Sequence, residues 1–323
     1  MKNNDLNAWS GPDALREFLM PGSSMTPMVE LPLSLNPFAK KGVRIFAKLL
    51  YFLPLLNVKS LMAVTMLKEA EREGALKDVH TIVENSSGNT GFSLGILAKY
   101  FGVENVTAIV PYDIAPGKRE MLRLAGVKVD EVKQGGIARA RELGRQKGFL
   151  NLGQYEDDAN PKAHETVTAP EIWEQTQGDI TLFCAGLGTT GTALGAKRYF
   201  KKKGNVDVLG VILEKDSAVP GVRTRKGLED ISFDWKKEID FCVEIKTKES
   251  YKKSLELCQA GLLAGPSSGF ALAGLLKFLG EQDKASLQDM RNSHGEVTAV
   301  FICADTPMPY LDKYSTFLDP HEF

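Results

Sequence analysis

Neither sign of charge dominates this chain. Its 323 residues carry 40 Lys and Arg against 41 Asp and Glu, a net charge of −1, so no long-range positive field draws in a nucleic-acid backbone. Long apolar runs are missing too. The greasiest, Leu49 to Leu56 (LLYFLPLL), is eight residues long and holds Pro54, where roughly 20 are needed to cross a bilayer. Neither a nucleic-acid nor a membrane role is expected. Cysteines are few and solitary: Cys184, Cys242, Cys258 and Cys303 form no CxxC and have no nearby His pair, which argues against zinc. They are expected to be buried thiols in a reducing compartment. The N-terminus, Met1-Lys2-Asn3-Asn4-Asp5, lacks the apolar core of a signal peptide, and a cytoplasmic location is expected. His80, His164, His294 and His321 are scattered and no HExxH occurs. Neither a metal site nor metal or serine hydrolysis is expected.

What is present is the composition of a folded globular protein, with 43% hydrophobic and 25% charged residues, at a length that suits two domains. Short apolar or β-branched runs alternate with segments of helical period, the pattern of an α/β fold with parallel sheets. Strands are expected at 81–84, 106–110, 127–132, 180–185, 208–213, 241–245 and 297–303. Helices are expected near 60–73, 89–101, 117–125, 137–147, 164–177, 191–203, 249–260 and 269–280. Gly74, Gly102, Gly126 and Gly148 fall just past four of these, where left-handed stop residues belong. Seven strands suit two doubly wound units. Chain crossovers near 50 and 155 would make 51–155 a smaller, mobile domain and 1–50 plus 156–323 a larger one.

Three small-residue turns carry the chemistry. The first, Glu84-Asn85-Ser86-Ser87-Gly88-Asn89-Thr90-Gly91, offers N–H groups and hydroxyls at a helix N-terminus, a site for a carboxylate or phosphate. An ordinary N-cap is the alternative. The second, Gly186-Leu187-Gly188-Thr189-Thr190-Gly191-Thr192, allows close backbone approach and adds hydroxyl donors around a small anion. It lacks the lysine of a P-loop and the acidic residue that would complete a dinucleotide fingerprint. The third, Gly265-Pro266-Ser267-Ser268-Gly269, opens an apolar helix. All three are expected at strand-to-helix junctions on the carboxyl edge of a sheet. Lys59, in Asn57-Val58-Lys59-Ser60-Leu61, stands before an apolar-faced helix, and a lysine among apolar neighbours can lose its proton and form a Schiff base. A surface lysine is the alternative.

Taken together these residues resemble the fold-type II pyridoxal-phosphate enzymes of the cysteine synthase and cystathionine β-synthase family. The resemblance runs from about Thr26-Pro27-Met28 to Tyr310-Leu311 and includes, in family order, Lys59, SSGNTG beginning 27 positions later at Ser86, GQYEDDANPKAHETVTAPEIW, GLGTTGT and GPSSG. It implies a tryptophan synthase β-like fold, pyridoxal 5'-phosphate as cofactor and a homodimer. Lys59 would carry the cofactor covalently and later move the α-proton. Ser86, Ser87, Asn89 and Thr90 would hold the substrate carboxylate, assisted by Gln154, with Asn89 also touching the cofactor ring. Gly188, Thr189, Thr190, Gly191 and Thr192 would bind the phosphate, and Ser267 would face the pyridine nitrogen.

A serine at that nitrogen does not hold it protonated, so the ring is a weaker electron sink. That suits elimination of a β-substituent to an aminoacrylate and addition of a nucleophile such as sulfide. The expected activity is β-replacement on an O-activated serine or a cysteine-like amino acid. The alternatives are a lyase on the same scaffold, either a cysteine desulfhydrase or a serine or threonine ammonia-lyase, and a non-catalytic binding or scaffolding protein. Departures from the family stand close to the lysine: Lys59-Ser60-Leu61 replaces Lys-Asp-Arg, and YFLPLL replaces a polar stretch. The run LLYFLPLL is expected to line a pocket entrance or a subunit contact, with core packing as the alternative. Arg223, Arg225 and Lys226 are read as a solvated loop or as an entry loop for an anionic group.

Overall fold

The structure, a computed structural model, describes residues 8–20, 25–86, 88–112, 114 and 116–323. The chain divides into two compact units, Met1–Met25 with Leu53–Asn160, and Thr26–Phe52 with Pro161–Phe323. Each has its own sheet, wholly parallel in the first and parallel but for one edge strand in the second.

Ten strands occur among the described residues: β1 Met28–Glu30, β2 Val43–Leu49, β3 Thr81–Asn85, β4 Asn105–Pro111, β5 Lys128–Val132, β6 Phe149–Asn151, β7 Leu182–Gly186, β8 Asp207–Leu213, β9 Phe241–Ile245 and β10 Val297–Cys303. The seven expected strands are present, and β1, β2 and β6 are additional. β1 and β6 have three residues each, too short for a periodicity to register. β2 (VRIFAKL) ends on Leu49, already the first residue of the apolar stretch, so its boundary is not visible as a change of composition.

In the first unit the order is β5-β4-β3-β6, all parallel. The chain moves outward from β3 through β4 to β5, then returns to the other side of β3 as β6. That reversal is a switch point, and the loops leaving β3 and β6 flank it at the carboxyl edge. The core beneath joins Met62, Met66 and Leu67 from the helix Lys59–Arg72 to Leu94 and Leu97 from the helix Asn89–Leu97, with Leu19 from the helix Ala14–Leu19.

The second unit has the order β1-β2-β10-β7-β8-β9. Only β1 is antiparallel. All seven residues of β10 are buried, as a strand covered on both faces requires. Here the chain runs outward from β7 to β9 and comes back as β10 beside β7, so a second switch point lies between the loops after β7 and β10.

Helix starts agree with the sequence to within a few residues, and Gly74, Gly102, Gly126 and Gly148 all take positive φ. Two differences matter. The apolar helix begins at Pro266 and runs to Glu281, because proline is accommodated in a first turn that needs no N–H. The expected helix over 164–177 is instead Ala159–Ala163, a π-helical turn His164–Thr168, and Ala169–Gln175. Of the cysteines, Cys184 and Cys303 are buried, whereas Cys242 and Cys258 are only partly so. Nor is LLYFLPLL uniform. Leu49, Leu50, Tyr51 and Leu53 are buried, while Phe52 and Leu56 are exposed.

Candidate active site

In the first unit, Lys59 opens the helix Lys59–Arg72. Its backbone is fixed by Asn57, whose Oδ1 accepts from Lys59 N at 3.0 Å and Ser60 N at 3.2 Å, in the manner of a helix cap. The same oxygen accepts from Ser93 Oγ at 3.2 Å, and Asn57 Nδ2 donates to Leu55 O at 2.6 Å. Asn57 therefore ties three things together: the start of the lysine helix, the helix after the first anion turn, and the segment Leu55–Leu56. Both leucines of that segment are left-handed, with φ of 70° and 57°, an uncommon state for a residue with a Cβ. Sequence reasoning passed over Asn57, although an Asn two residues before a helix is a capping signal.

The turn after β3 is organised by short-range hydrogen bonds. Ser86 Oγ accepts from Gly91 N at 3.0 Å and Gly88 N at 3.4 Å, so it caps the helix Asn89–Leu97 from outside. Ser87 lies outside the described residues. Thr90 Oγ1 donates to Gln154 Oε1 at 2.9 Å, and Gln154 Nε2 donates to Asn85 O at 2.8 Å. Thr90 and Gln154, 64 residues apart in sequence, are thus brought together, each buried, at the β3/β6 switch point.

A second residue missed in sequence makes that junction. Glu84, the last buried residue of β3, is 1% exposed. Its Oε2 accepts from Gly153 N at 3.0 Å and Gln154 N at 3.4 Å, and its Oε1 from Asn85 N at 3.1 Å. Burial raises its pKa to about 7, with the backbone N–H groups of Gln154, Asn85 and Gly153 opposing the rise. A charged residue closing an apolar strand was the available signal.

In the second unit the turn Gly186–Thr190 leaves β7 and enters the helix Gly191–Phe200. Gly188 has no room for a side chain, since a Cβ there would collide with the Gly221 carbonyl oxygen. Thr190 takes φ 65°, and its hydroxyl is buried without a hydrogen-bond partner. A buried hydroxyl left unmade costs on the order of 1–3 kcal/mol. Beside it lie the first N–H groups of a helix, which have no intrahelical acceptors. Thr192 Oγ1 lies 3.1 Å from His164 Nε2. This cradle fits a phosphate: an acceptor-only dianion would satisfy both the orphaned hydroxyl and the free end of the helix.

The third turn is not a strand-to-helix junction, which corrects the expectation. The helix Thr247–Gln259 and a short loop lead into Pro266. The turn still reaches the carboxyl edge of the sheet, because Gly265 N donates to Asp305 O at 2.9 Å, just beyond β10, and Ala304 N donates to Ser268 Oγ at 3.1 Å. Ser267 is thereby held at the β7/β10 switch point, in the same unit as the second turn. Its sequence also matches the letters GxSxG, as does Gly91-Phe92-Ser93-Leu94-Gly95. A nucleophile elbow needs a strand leading into the serine. Ser267 follows a helix and loop, and Ser93 lies inside a helix bonded to Asn57.

In the remaining loop, Arg223 Nη1 donates to Gly227 O at 2.9 Å and Arg225 pairs with Glu244. Among the described residues no cluster of three or more metal-ligating side chains occurs, and no helix is long and apolar enough to cross a membrane.

A lysine at a capped helix start, a turn that fits a phosphate and a serine held at the same switch point suit a cofactor-dependent α/β enzyme. A family model described as pyridoxal-phosphate dependent enzyme matches residues 19–287, and the chain belongs to that family. It is 34% identical over 265 residues to cysteine synthase B of Salmonella typhimurium, covering 78% of this chain and 84% of that one. It is also 34% identical over 259 residues to cysteine synthase A of Escherichia coli, covering 72% and 80%. Among solved structures it is similar to O-acetyl serine sulfhydrylase isoform 3 of Entamoeba histolytica, with TM-score 0.76, 27% identity, and coverage of 92% of this chain and 90% of that chain. The fold is the tryptophan synthase β-like one that the resemblance implied.

Proposed function

We propose that this protein catalyses pyridoxal-phosphate-dependent β-replacement on an O-activated serine or a cysteine-like amino acid, as a cysteine synthase-like transferase. The observation that carries the reading is the buried, partnerless Thr190 hydroxyl at the entry of the helix Gly191–Phe200, in a chain that also offers Lys59 at a capped helix start. The cysteine synthases among its relatives support the reaction class.

When bound, the cofactor supplies an electron sink for charge developing at the substrate α-carbon. This chain's residues do the rest. Gly188, Thr189, Thr190, Gly191 and Thr192 hold the phosphate through N–H groups and hydroxyls. Lys59 would hold the cofactor, and its Nζ would take the α-proton and later return it. Ser86, Ser87, Asn89, Thr90 and Gln154 hold the substrate carboxylate, and Asn89 also meets the cofactor ring. Ser267 would serve the pyridine nitrogen without holding it protonated. In the net reaction the substituent leaves Cβ with its bonding pair and a nucleophile such as sulfide takes its place.

Two experiments test this. Protein loaded with pyridoxal phosphate and reduced with borohydride should yield a cofactor-modified peptide at Lys59, absent from Lys59→Ala; no adduct on that peptide in the wild type defeats the assignment. Supplying O-activated serines with and without sulfide, and following new amino acid against pyruvate, distinguishes transferase from lyase. Pyruvate release indifferent to every nucleophile would mean a lyase. A cytoplasmic homodimer belongs to the same proposal and is checked by light scattering and cell fractionation.

A further inference from the structure

The interrupted helix at 164–177 points to a residue with no assigned role. A π-helical turn has poorer hydrogen-bond geometry than an α-helix and recurs where a side chain must be re-aimed. Here the turn is His164–Thr168, and its first side chain is fully buried. Both ring nitrogens of His164 meet hydroxyls, Nδ1 at 2.9 Å from Thr168 Oγ1 and Nε2 at 3.1 Å from Thr192 Oγ1. The segment lies hard against the helix that follows the phosphate turn: a Cβ on Gly195 would collide with the Pro161 carbonyl oxygen and come within 2.8 Å of Glu165 N. The glycine is what allows the approach.

A neutral imidazole has one donor and one acceptor, and a hydroxyl has one donor and two acceptor sites. Two arrangements are therefore open. In one, the Thr192 proton is spent on Nε2. In the other, the Thr168 hydroxyl donates to Nδ1, Nε2–H donates to Thr192 Oγ1, and the Thr192 proton remains for a ligand. An anion that only accepts selects the second.

We propose that His164 is a positioning residue for the phosphate turn: its Nε2–H donates to Thr192 Oγ1 and so presents the Thr192 hydroxyl as a donor to the cofactor phosphate. This rests on the proposed role of residues 188–192. The π-helical turn exists to carry the ring to that hydroxyl, and Thr168, within the same turn, selects the tautomer.

The test is a titration of cofactor-stripped protein with pyridoxal phosphate and, separately, with pyridoxal, which lacks the phosphate, together with 31P NMR of the loaded protein. His164→Leu should weaken pyridoxal phosphate by about tenfold, the scale of one hydrogen bond to a charged group, and leave pyridoxal within about twofold. Thr192→Val should act alike, and the double variant should be no worse than Thr192→Val alone. His164→Gln, which can still offer a donor, should recover most of the loss. The bound 31P resonance should move in His164→Leu and return in His164→Gln. Equal weakening of both ligands, or additive losses in the double variant, would overturn the proposal in favour of a packing role. If Thr192→Val weakens pyridoxal phosphate while His164→Leu does not, the relay is wrong and the phosphate turn stands. If Thr192→Val itself has no effect, the turn's role in phosphate binding falls, and the relay falls with it. Should His164→Leu fail to fold, Thr168→Val replaces it, with the same selectivity for the phosphate expected.

Discussion

At the scale of single residues, Glu84 and Asn57 hold in place the groups that the motifs name. Glu84 accepts N–H bonds from both sides of the β3/β6 switch point, so the anion turn and Gln154 share one anchor. Its burial gives a pH dependence whose sign follows from linkage. A carboxyl with a folded pKa of about 7 and an ordinary unfolded one near 4.3 keeps its proton in the native state while the unfolded chain has lost it. Stability therefore falls as pH rises between those values, by up to about 1.4 kcal/mol per unit, and levels off above the folded pKa. Thermal or urea unfolding of wild type and Glu84→Gln from pH 4.5 to 8 should show the variant gaining on the wild type across that window. A constant difference would refute the assignment. Asn57→Ala should cost about 1–2 kcal/mol, as loss of a helix cap does, and should slow borohydride trapping at Lys59 by loosening the start of its helix.

At the scale of elements, the second turn depends on a backbone approach that tolerates no side chain. Gly188→Ala should keep the far-UV circular dichroism of the wild type and lose affinity for pyridoxal phosphate by an order of magnitude or more, because the obstacle is the rigid Gly221 carbonyl. Retained affinity would show that the turn does not close on a phosphate. In the first unit, the left-handed pair Leu55–Leu56 sits immediately before the lysine helix. Left-handed backbone costs an L-residue about 1–2 kcal/mol, and glycine adopts it freely at an entropic cost of about 0.5–1 kcal/mol. Leu56, exposed and making little packing, should therefore accept Leu56→Gly with equal or slightly higher stability in urea unfolding.

At the scale of the whole chain, the second unit is assembled from Thr26–Phe52 and Pro161–Phe323. Besides sheet pairing, a buried ion pair joins those stretches. Lys48 Nζ lies 2.5 Å from Glu171 Oε2, 2.8 Å from Thr26 O and 2.8 Å from Gln175 Oε1. Thr26 Oγ1 donates to the same Glu171 oxygen at 2.8 Å. Burial lowers the Lys48 pKa, and Glu171 works against that shift. Removing one partner strands the other charge, so Lys48→Met should cost about 3–5 kcal/mol in urea unfolding, and Lys48→Met with Glu171→Gln should recover part of it. An unchanged midpoint for the single variant would mean that the network is not what fastens the two stretches.

The sequence by itself determined the α/β class, seven of the strands and the small-residue turns that open three helices. These are local signals: apolar alternation, glycines at left-handed stops, and small hydroxyl residues at helix starts. It did not determine which of these lie together. Thr90 and Gln154 meet because β6 returns beside β3, Ser267 reaches the sheet edge through residues 304–305 although no strand precedes it, and Lys48 finds Glu171 123 residues away. Strand order and burial make those contacts, and neither is written in a window of a dozen residues. The π-helical turn shows the division most clearly. Its residues read as ordinary helix, and only the folded chain brings Gly195 against Pro161 and Glu165 and the His164 ring to Thr192.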